Sequence, residues 1–69
     1  MEKLQISLAA ARVNAGMTQE EVAKKMGISK NTVVNWEKGI SEPTITQGLK
    51  LSELYGIPLD NIFLARKSN

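Results

Sequence analysis

Apolar residues recur along the chain at steps of three or four, the spacing that places side chains on one face of an α-helix. The first such run contains Leu4, Leu8, Ala11 and Ala15 and ends at Gly16. Apolar and polar residues do not alternate over any sustained stretch, and aromatic residues make up only 4% of the chain, so strand signals are weak. The pattern therefore predicts an all-α protein.

Helix start and stop residues divide the chain into five segments. Capping boxes begin two of them, a T-x-x-E motif at residues 18–21 and a T-x-x-Q motif at residues 44–47, and Ser29 is the N-cap candidate of a third. Glycines end them, because a residue without a β-carbon adopts the left-handed conformation of a helix C-cap at low cost. The predicted stops are Gly16, Gly27, Gly39 and Gly56. Residues 58–63 look like one short fifth helix.

The second and third predicted helices are separated by too few residues to pack antiparallel. Gly27 stands in this turn, where a positive φ is expected, and Ala23 supplies the small side chain that closely crossing helices require. Val33 and Trp36 fall on the inner face of the third helix, so core packing is preferred for Trp36 over stacking on a base. Residues 19–38 therefore predict a helix-turn-helix.

Charge and composition narrow the classes of function. The net charge is only +2, but Lys24, Lys25, Lys30 and Lys38 are accompanied between residues 24 and 38 by a single acid, Glu37. Cysteine and histidine are absent, which removes the commonest metal ligands and general base, so we expect no enzyme activity, metal site or cofactor. Neither a signal peptide nor a membrane span is recognisable, so a cytoplasmic protein without a membrane partner or a small-molecule ligand is expected.

The outward positions of the third helix carry side chains that suit the major groove of DNA. Asparagine can pair with the N6 and N7 edge of adenine, and lysine can donate to O6 and N7 of guanine. These outward residues are Lys30, Asn31, Thr32 and Asn35. Helix N-termini bind phosphate through their exposed amides. The expected phosphate contacts are Thr18, Gln19, Lys38 and Ser41.

The motifs MTQEEVA (residues 17–23), GIS (27–29) and VNWEKG (34–39), followed by Pro43, resemble the Xre/Cro-type helix-turn-helix family of phage repressors and bacterial regulators. The resemblance covers about residues 4–64. It implies a compact, lambda repressor-like bundle of five helices. Residues 1–69 would then form a single domain with a frayed tail after residue 64.

The resemblance also implies roles for individual residues. The family's base-reading positions fall on Ser29, Lys30, Asn31, Thr32 and Asn35, and its phosphate-clamping glutamine falls on Gln19. An arginine that could contact phosphate, Arg12, corresponds to the family's arginine that pairs with a glutamate, here Glu37. One departure is Gly48, where the family often has an apolar residue; it marks either a close helix contact or a weaker helix.

The implied function is that of a sequence-specific transcriptional regulator, a repressor, that binds a pseudo-palindromic operator in double-stranded DNA as a homodimer. The apolar residues of the last segment exceed what one short helix needs, so we expect a symmetric dimer around this segment and the end of the fourth helix. The expected interface residues are Tyr55, Leu59, Ile62, Phe63 and Leu64. The alternatives are an antitoxin-like or accessory protein whose main partner is another protein, and an interaction module that has lost DNA binding.

Overall fold

The computed structural model describes residues 5–63, in which four α-helices are joined by short turns and bracketed by two very short strands. The elements in chain order are β1 (Ile6–Ser7), α1 (Leu8–Asn14), α2 (Gln19–Met26), α3 (Lys30–Lys38), α4 (Ile45–Tyr55), a 3₁₀ turn (Leu59–Asn61) and β2 (Ile62–Phe63). The all-α class is confirmed for this part of the chain, whereas the predicted count of five helices is not supported: residues 5–63 contain four α-helices.

The helices begin and end where local chemistry favours it. Thr18 accepts a hydrogen bond from the Glu21 amide at 3.1 Å while the Glu21 carboxylate accepts one from the Thr18 amide at 2.8 Å, so the predicted capping box is confirmed. Thr44 and Gln47 form the second predicted box, at 3.1 and 2.8 Å. These reciprocal bonds satisfy amides that have no partner within the helix.

The segment predicted as the fifth helix contains one 3₁₀ turn and a strand. Asn61 N donates to the Pro58 carbonyl at 2.9 Å, and the chain then extends, so that β2 pairs in parallel with β1, Ile6 opposite Ile62 and Ser7 opposite Phe63. The strand pairing satisfies backbone groups that a single helical turn would leave without partners. It also explains why α1 begins at Leu8, with Ser7 as its N-cap, and not earlier. Leu4 lies outside the described residues.

Every helix contributes to one core, and β2 adds to it. The buried apolar residues are Leu8, Ala11, Val22, Ala23, Val33, Trp36, Leu51, Tyr55 and Ile62. Trp36 is 4% exposed, which confirms that it packs in the core. Burial of an aliphatic side chain contributes about 1.5–3 kcal/mol, so Val22, Val33 and Leu51, the largest side chains buried completely, are important for holding α2, α3 and α4 together.

Gly48 lies buried within α4, against the 3₁₀ turn. A β-carbon at this position would lie 3.3 Å from Cδ1 of Leu59, closer than an ordinary van der Waals contact. Of the two explanations left open by the sequence, the structure supports the close contact: the missing side chain lets Leu59 approach the helix. The helix propensity lost with glycine, about 1 kcal/mol relative to alanine, is the cost of that approach.

Candidate nucleic-acid interface

α2 and α3 form a helix-turn-helix through the tight turn at residues 27–29. Gly27 ends α2 in the left-handed conformation, with φ 72°, where a β-carbon would be strained. Ile28 N donates to the Ala23 carbonyl at 3.0 Å, which closes the turn. Ser29 then accepts a hydrogen bond from the Thr32 amide at 3.2 Å and begins α3. Ala23, 5% exposed, lies where the two helices meet.

The two faces of α3 have different chemistry. Val33 and Trp36 are buried, which fixes the orientation of the helix. Lys30 and Asn31 are exposed, and Thr32 and Asn35 are half-buried. These four polar side chains therefore lie away from the core on one helix, as the sequence pattern predicted.

Two of the expected base-reading residues also serve the start of α3. Besides capping the helix, Ser29 Oγ lies 2.9 Å from Thr32 Oγ1, so one hydroxyl donates to the other. A hydroxyl oxygen donates one hydrogen bond and accepts two, so such a pair retains capacity for a phosphate or a base edge. Contact with DNA and capping of the helix are therefore compatible at both residues.

Lys30 forms an ion pair with Glu20 that the sequence analysis did not predict. Its Nζ lies 3.2 Å from Oε2 of Glu20, on α2, and the two side chains are 53% and 66% exposed. Hydrogen bonds, first to the backbone amide of Glu20 itself and then to Lys30, lower the pKa of Glu20. The outward residues of α3 include no acid. The carboxylate of Glu20, on α2, nevertheless lies beside Lys30, the first residue of α3.

A second ion pair fastens α1 to the last turn of α3. Arg12 Nε donates to Glu37 Oε2 at 2.7 Å and Nη2 to Oε1 at 3.3 Å, while Nη1 donates to the Met17 carbonyl at 3.0 Å. The two side chains are only 15% and 9% exposed. The hydrogen bond to Glu37 is the main reason why the pKa of Arg12 is raised. The guanidinium of Arg12 therefore pairs with Glu37, as the family resemblance implied.

Gln19, the expected phosphate clamp, belongs to the same group. Its Nε2 donates to Glu37 Oε1 at 2.9 Å, so the carboxylate of Glu37 accepts hydrogen bonds from both α1 and α2. A primary amide carries two N–H groups, so Gln19 can donate one to Glu37 and the other to a phosphate oxygen. The hydrogen bond holds Gln19 in place at the start of α2.

The other expected phosphate contacts lie on the surface at both ends of the helix-turn-helix. Thr18 is exposed at the N-cap of α2, next to amides that have no partner within that helix. Lys38 is exposed in the last turn of α3, and Ser41 is exposed in the following loop, where its amide donates to the Asn35 carbonyl at 3.4 Å. Both ends of the unit thus present donors to solvent.

Among the residues expected at the dimer interface, two that the structure describes are buried in the core. Tyr55 and Ile62 are 6% and 7% exposed and belong to the core of a single chain, so their expected place at the interface is not supported. Burial, followed by the negative charge of Glu37, raises the pKa of Tyr55 to about 12, although Arg12 opposes this. Leu59 is partly buried. The Phe63 side chain and Leu64 lie outside the described residues.

Exposed apolar side chains lie instead at the start of α4. Ile45 is 76% exposed and Leu49, one turn further along, is 55% exposed. Ile45 also borders an apolar cavity of about 120 Å³ between α4, Leu8 and Leu59. Across residues 5–63, none of the helices is long and apolar enough to cross a membrane.

Comparison with known proteins supports the assignment of α2 and α3 as a helix-turn-helix. Residues 8–62 match the sequence profile of the helix-turn-helix family. An uncharacterised HTH-type transcriptional regulator of Methanocaldococcus jannaschii is 35% identical over 48 residues, 70% of this chain and 73% of the relative. The cryptic phage CTXphi transcriptional repressor RstR of Vibrio cholerae is 36% identical over 58 residues, 84% of this chain and 52% of the relative.

A third relative extends the comparison to a longer protein. The HTH-type transcriptional regulator ImmR of Bacillus subtilis is 42% identical over 53 residues, 77% of this chain and 42% of the relative. The chain thus spans about half of the phage repressor and less than half of ImmR. No solved structure shows significant similarity to this chain.

Proposed function

Since the chain belongs to the Xre-like helix-turn-helix family and is a DNA-binding transcriptional regulator, we propose that it represses transcription by binding a pseudo-palindromic operator through the major groove. One observation carries the proposal. Lys30 and Asn31 are exposed on α3, whereas Val33 and Trp36 are 1% and 4% exposed and hold the helix against the core. A helix fastened on one side can present the other to base edges with little loss of conformational entropy.

Base reading is assigned to the first two turns of α3. Asn31 and Asn35 lie four residues apart, so they project from the same side of the helix. Each can form a bidentate contact with adenine, and such a contact discriminates between bases by about 1–3 kcal/mol. Lys30 reads guanine, and Ser29 and Thr32 add hydroxyl contacts. Reading by several residues would give a site of several base pairs for each chain.

Phosphate contacts position this helix without reading sequence. Thr18, Gln19 and the first amides of α2 bind the backbone at one edge of the groove, and Lys38 and Ser41 bind it at the other. Gln19 is the best supported, because its hydrogen bond to Glu37 links the phosphate contact to the part-buried ion pair with Arg12. The same pair would then hold both the clamp and the reading helix.

A second copy of the chain completes the site. Ile45 and Leu49, exposed on one side of α4, supply an apolar patch of the kind found at interfaces. Two-fold symmetry would place the half-sites about 10 base pairs apart, centre to centre. Sedimentation with and without operator DNA tests this pairing. Ile45→Glu should weaken it, whereas Val13→Glu, at an apolar residue of α1 that is 63% exposed, serves as the matched control.

The decisive experiment is a selection of bound duplexes from random DNA. We expect a symmetric site, and a reporter gene whose promoter carries that site should be expressed less when the protein is present. Asn31→Ala and Asn35→Ala should each relax preference at particular base pairs. Lys38→Ala should weaken binding evenly across sequences and reduce the salt slope by about one.

Two results would contradict the proposal. If the double asparagine variant selected the same site with the same preference, base reading would have to be assigned elsewhere. If the selected site raised reporter expression, the protein would be an activator that uses the same contacts.

A further inference from the structure

The ion pair between Glu20 and Lys30 joins the starts of α2 and α3 at the surface assigned to DNA. The two charged atoms lie 3.2 Å apart, and both side chains remain more than half exposed. Glu20 follows Gln19 directly, so its carboxylate lies beside the amides that bind a phosphate in the proposed function. An acid in this place reduces attraction to every phosphate, whatever the base sequence.

Within the described residues, the carboxylate of Glu20 is hydrogen-bonded to its own backbone amide and to Lys30, and it also interacts electrostatically with Arg12. The capping box of α2 uses Glu21, whose carboxylate accepts the Thr18 amide at 2.8 Å. The buried ion pair uses Glu37, on α3. The side chain of Glu20 is instead 66% exposed and directed to a residue assigned to base reading. Glu20 therefore acts at the protein surface, where its carboxylate can influence binding to DNA.

We propose that Glu20 is a specificity-determining positioning residue, which restrains Lys30 so that it favours a base edge over the phosphate backbone; this rests on the proposed function. An ammonium group has three donors, so Lys30 can keep its bond to Glu20 and donate to guanine O6 and N7 at the same time. On random DNA, a lysine without this restraint binds any phosphate within reach. The carboxylate competes with those phosphates and lowers non-specific affinity.

The test compares binding to the selected site with binding to a random duplex of the same length, at several salt concentrations. Glu20→Gln should raise affinity for the random duplex more than for the selected site, lowering their ratio about two- to fivefold, the range expected of an exposed ion pair. The salt slope on the random duplex should steepen by about one, because Lys30 becomes available for a phosphate.

Two variants separate this role from simpler ones. Glu53→Gln removes one negative charge from an exposed position on α4 and should change both affinities by the same factor. In a Lys30→Met background, Glu20→Gln should leave the ratio unchanged, because the lysine that it restrains is gone. A structural effect of Glu20 would alter folding but not this coupling between the two residues.

The outcomes are distinct. If Glu20→Gln shifts both affinities equally, as the Glu53 control does, Glu20 acts only through net charge and the inference is wrong. If the ratio falls equally without Lys30, Glu20 contacts DNA itself, which also overturns the inference. If the unaltered protein does not distinguish the selected site from random DNA, the proposed function fails, and the inference fails with it.

Discussion

Two ion pairs within residues 5–63, Arg12–Glu37 and Lys30–Glu20, join opposite charges in different surroundings. Arg12 and Glu37 approach to 2.7 Å with side chains 15% and 9% exposed, whereas Lys30 and Glu20 approach to 3.2 Å with side chains 53% and 66% exposed. Water screens the second pair, so it contributes little to stability. The first lies where unpaired charge is costly. Burial, more than distance, therefore separates a structural pair from one available to DNA.

The surroundings of Glu37 reinforce this contrast. Its carboxylate accepts hydrogen bonds from Arg12 and Gln19, and the same arginine also holds the Met17 carbonyl. The carboxylate of Glu20, by contrast, is hydrogen-bonded to its own backbone amide and to the exposed Lys30. Variants of the two pairs should therefore separate stability from binding.

The largest expected effect comes from breaking the part-buried Arg12–Glu37 pair on one side. Arg12→Met leaves the Glu37 carboxylate largely buried without a counter-charge, and we expect the free energy of unfolding to fall by about 3 kcal/mol. Urea denaturation followed by circular dichroism measures the change. The double variant Arg12→Met/Glu37→Leu should recover most of the stability, since no buried charge remains. A single variant as stable as the parent would show that the pair is not an anchor.

Tyr55, close to the same ion pair, gives the next largest effect through pH. An unfolded tyrosine ionises near a pKa of about 10, whereas burial and Glu37 raise the folded pKa to about 12. Between these values the unfolded chain has lost a proton that the folded chain retains, so stability falls as the pH rises. After allowance for solvent screening, we expect a loss on the order of 1–2 kcal/mol.

The measurement is the melting temperature as a function of alkaline pH. The matched control is Tyr55→Phe, which keeps the ring and removes the ionisable oxygen. The difference between the two curves reports Tyr55 alone. Identical curves would mean that the phenol ionises equally readily in both states.

The contrast also shows what the sequence could predict. The capping boxes at residues 18–21 and 44–47 depend on side chains three residues apart, so their motifs predicted them correctly. The burial of Trp36 followed from its spacing to Val33 along α3. The inward and outward faces of α3 were thus predictable, because a helix fixes the relation between neighbouring residues.

Contacts between distant segments were not predictable in this way. The pairing of Ile6 with Ile62 joins the two ends of the described chain through strands of two residues, too short to show any period. The bond from Glu20 to Lys30 depends on how the turn at Gly27 orients two helices. Tyr55 was expected at an interface, because periodicity marks an apolar face without saying what covers it.

Substitution of Gln19 should reduce stability less, because Gln19 contributes a single hydrogen bond to Glu37. Gln19→Ala removes one hydrogen bond to a carboxylate that keeps Arg12, so we expect a loss of about 1 kcal/mol in the free energy of unfolding. In the Arg12→Met/Glu37→Leu background the same substitution should cost less, because the acceptor is absent. An equal cost in both backgrounds would mean that Gln19 stabilises α2 by another route.

Glu20→Gln should lower the free energy of unfolding less than Arg12→Met or Gln19→Ala does, although it breaks an ion pair. The helix dipole favours an acid in the first turn of α2, so a small loss that high salt abolishes is expected. Glu21→Ala, at the next residue, should cost more, because it removes the carboxylate that accepts the Thr18 amide in the capping box. Urea denaturation of Glu20→Gln, Lys30→Met and the double variant should give additive changes. A large coupling energy in folding would make Glu20–Lys30 a structural contact, like Arg12–Glu37. Additive changes in folding, together with coupling in the discrimination between DNA sites, would instead show that the two ion pairs differ in function.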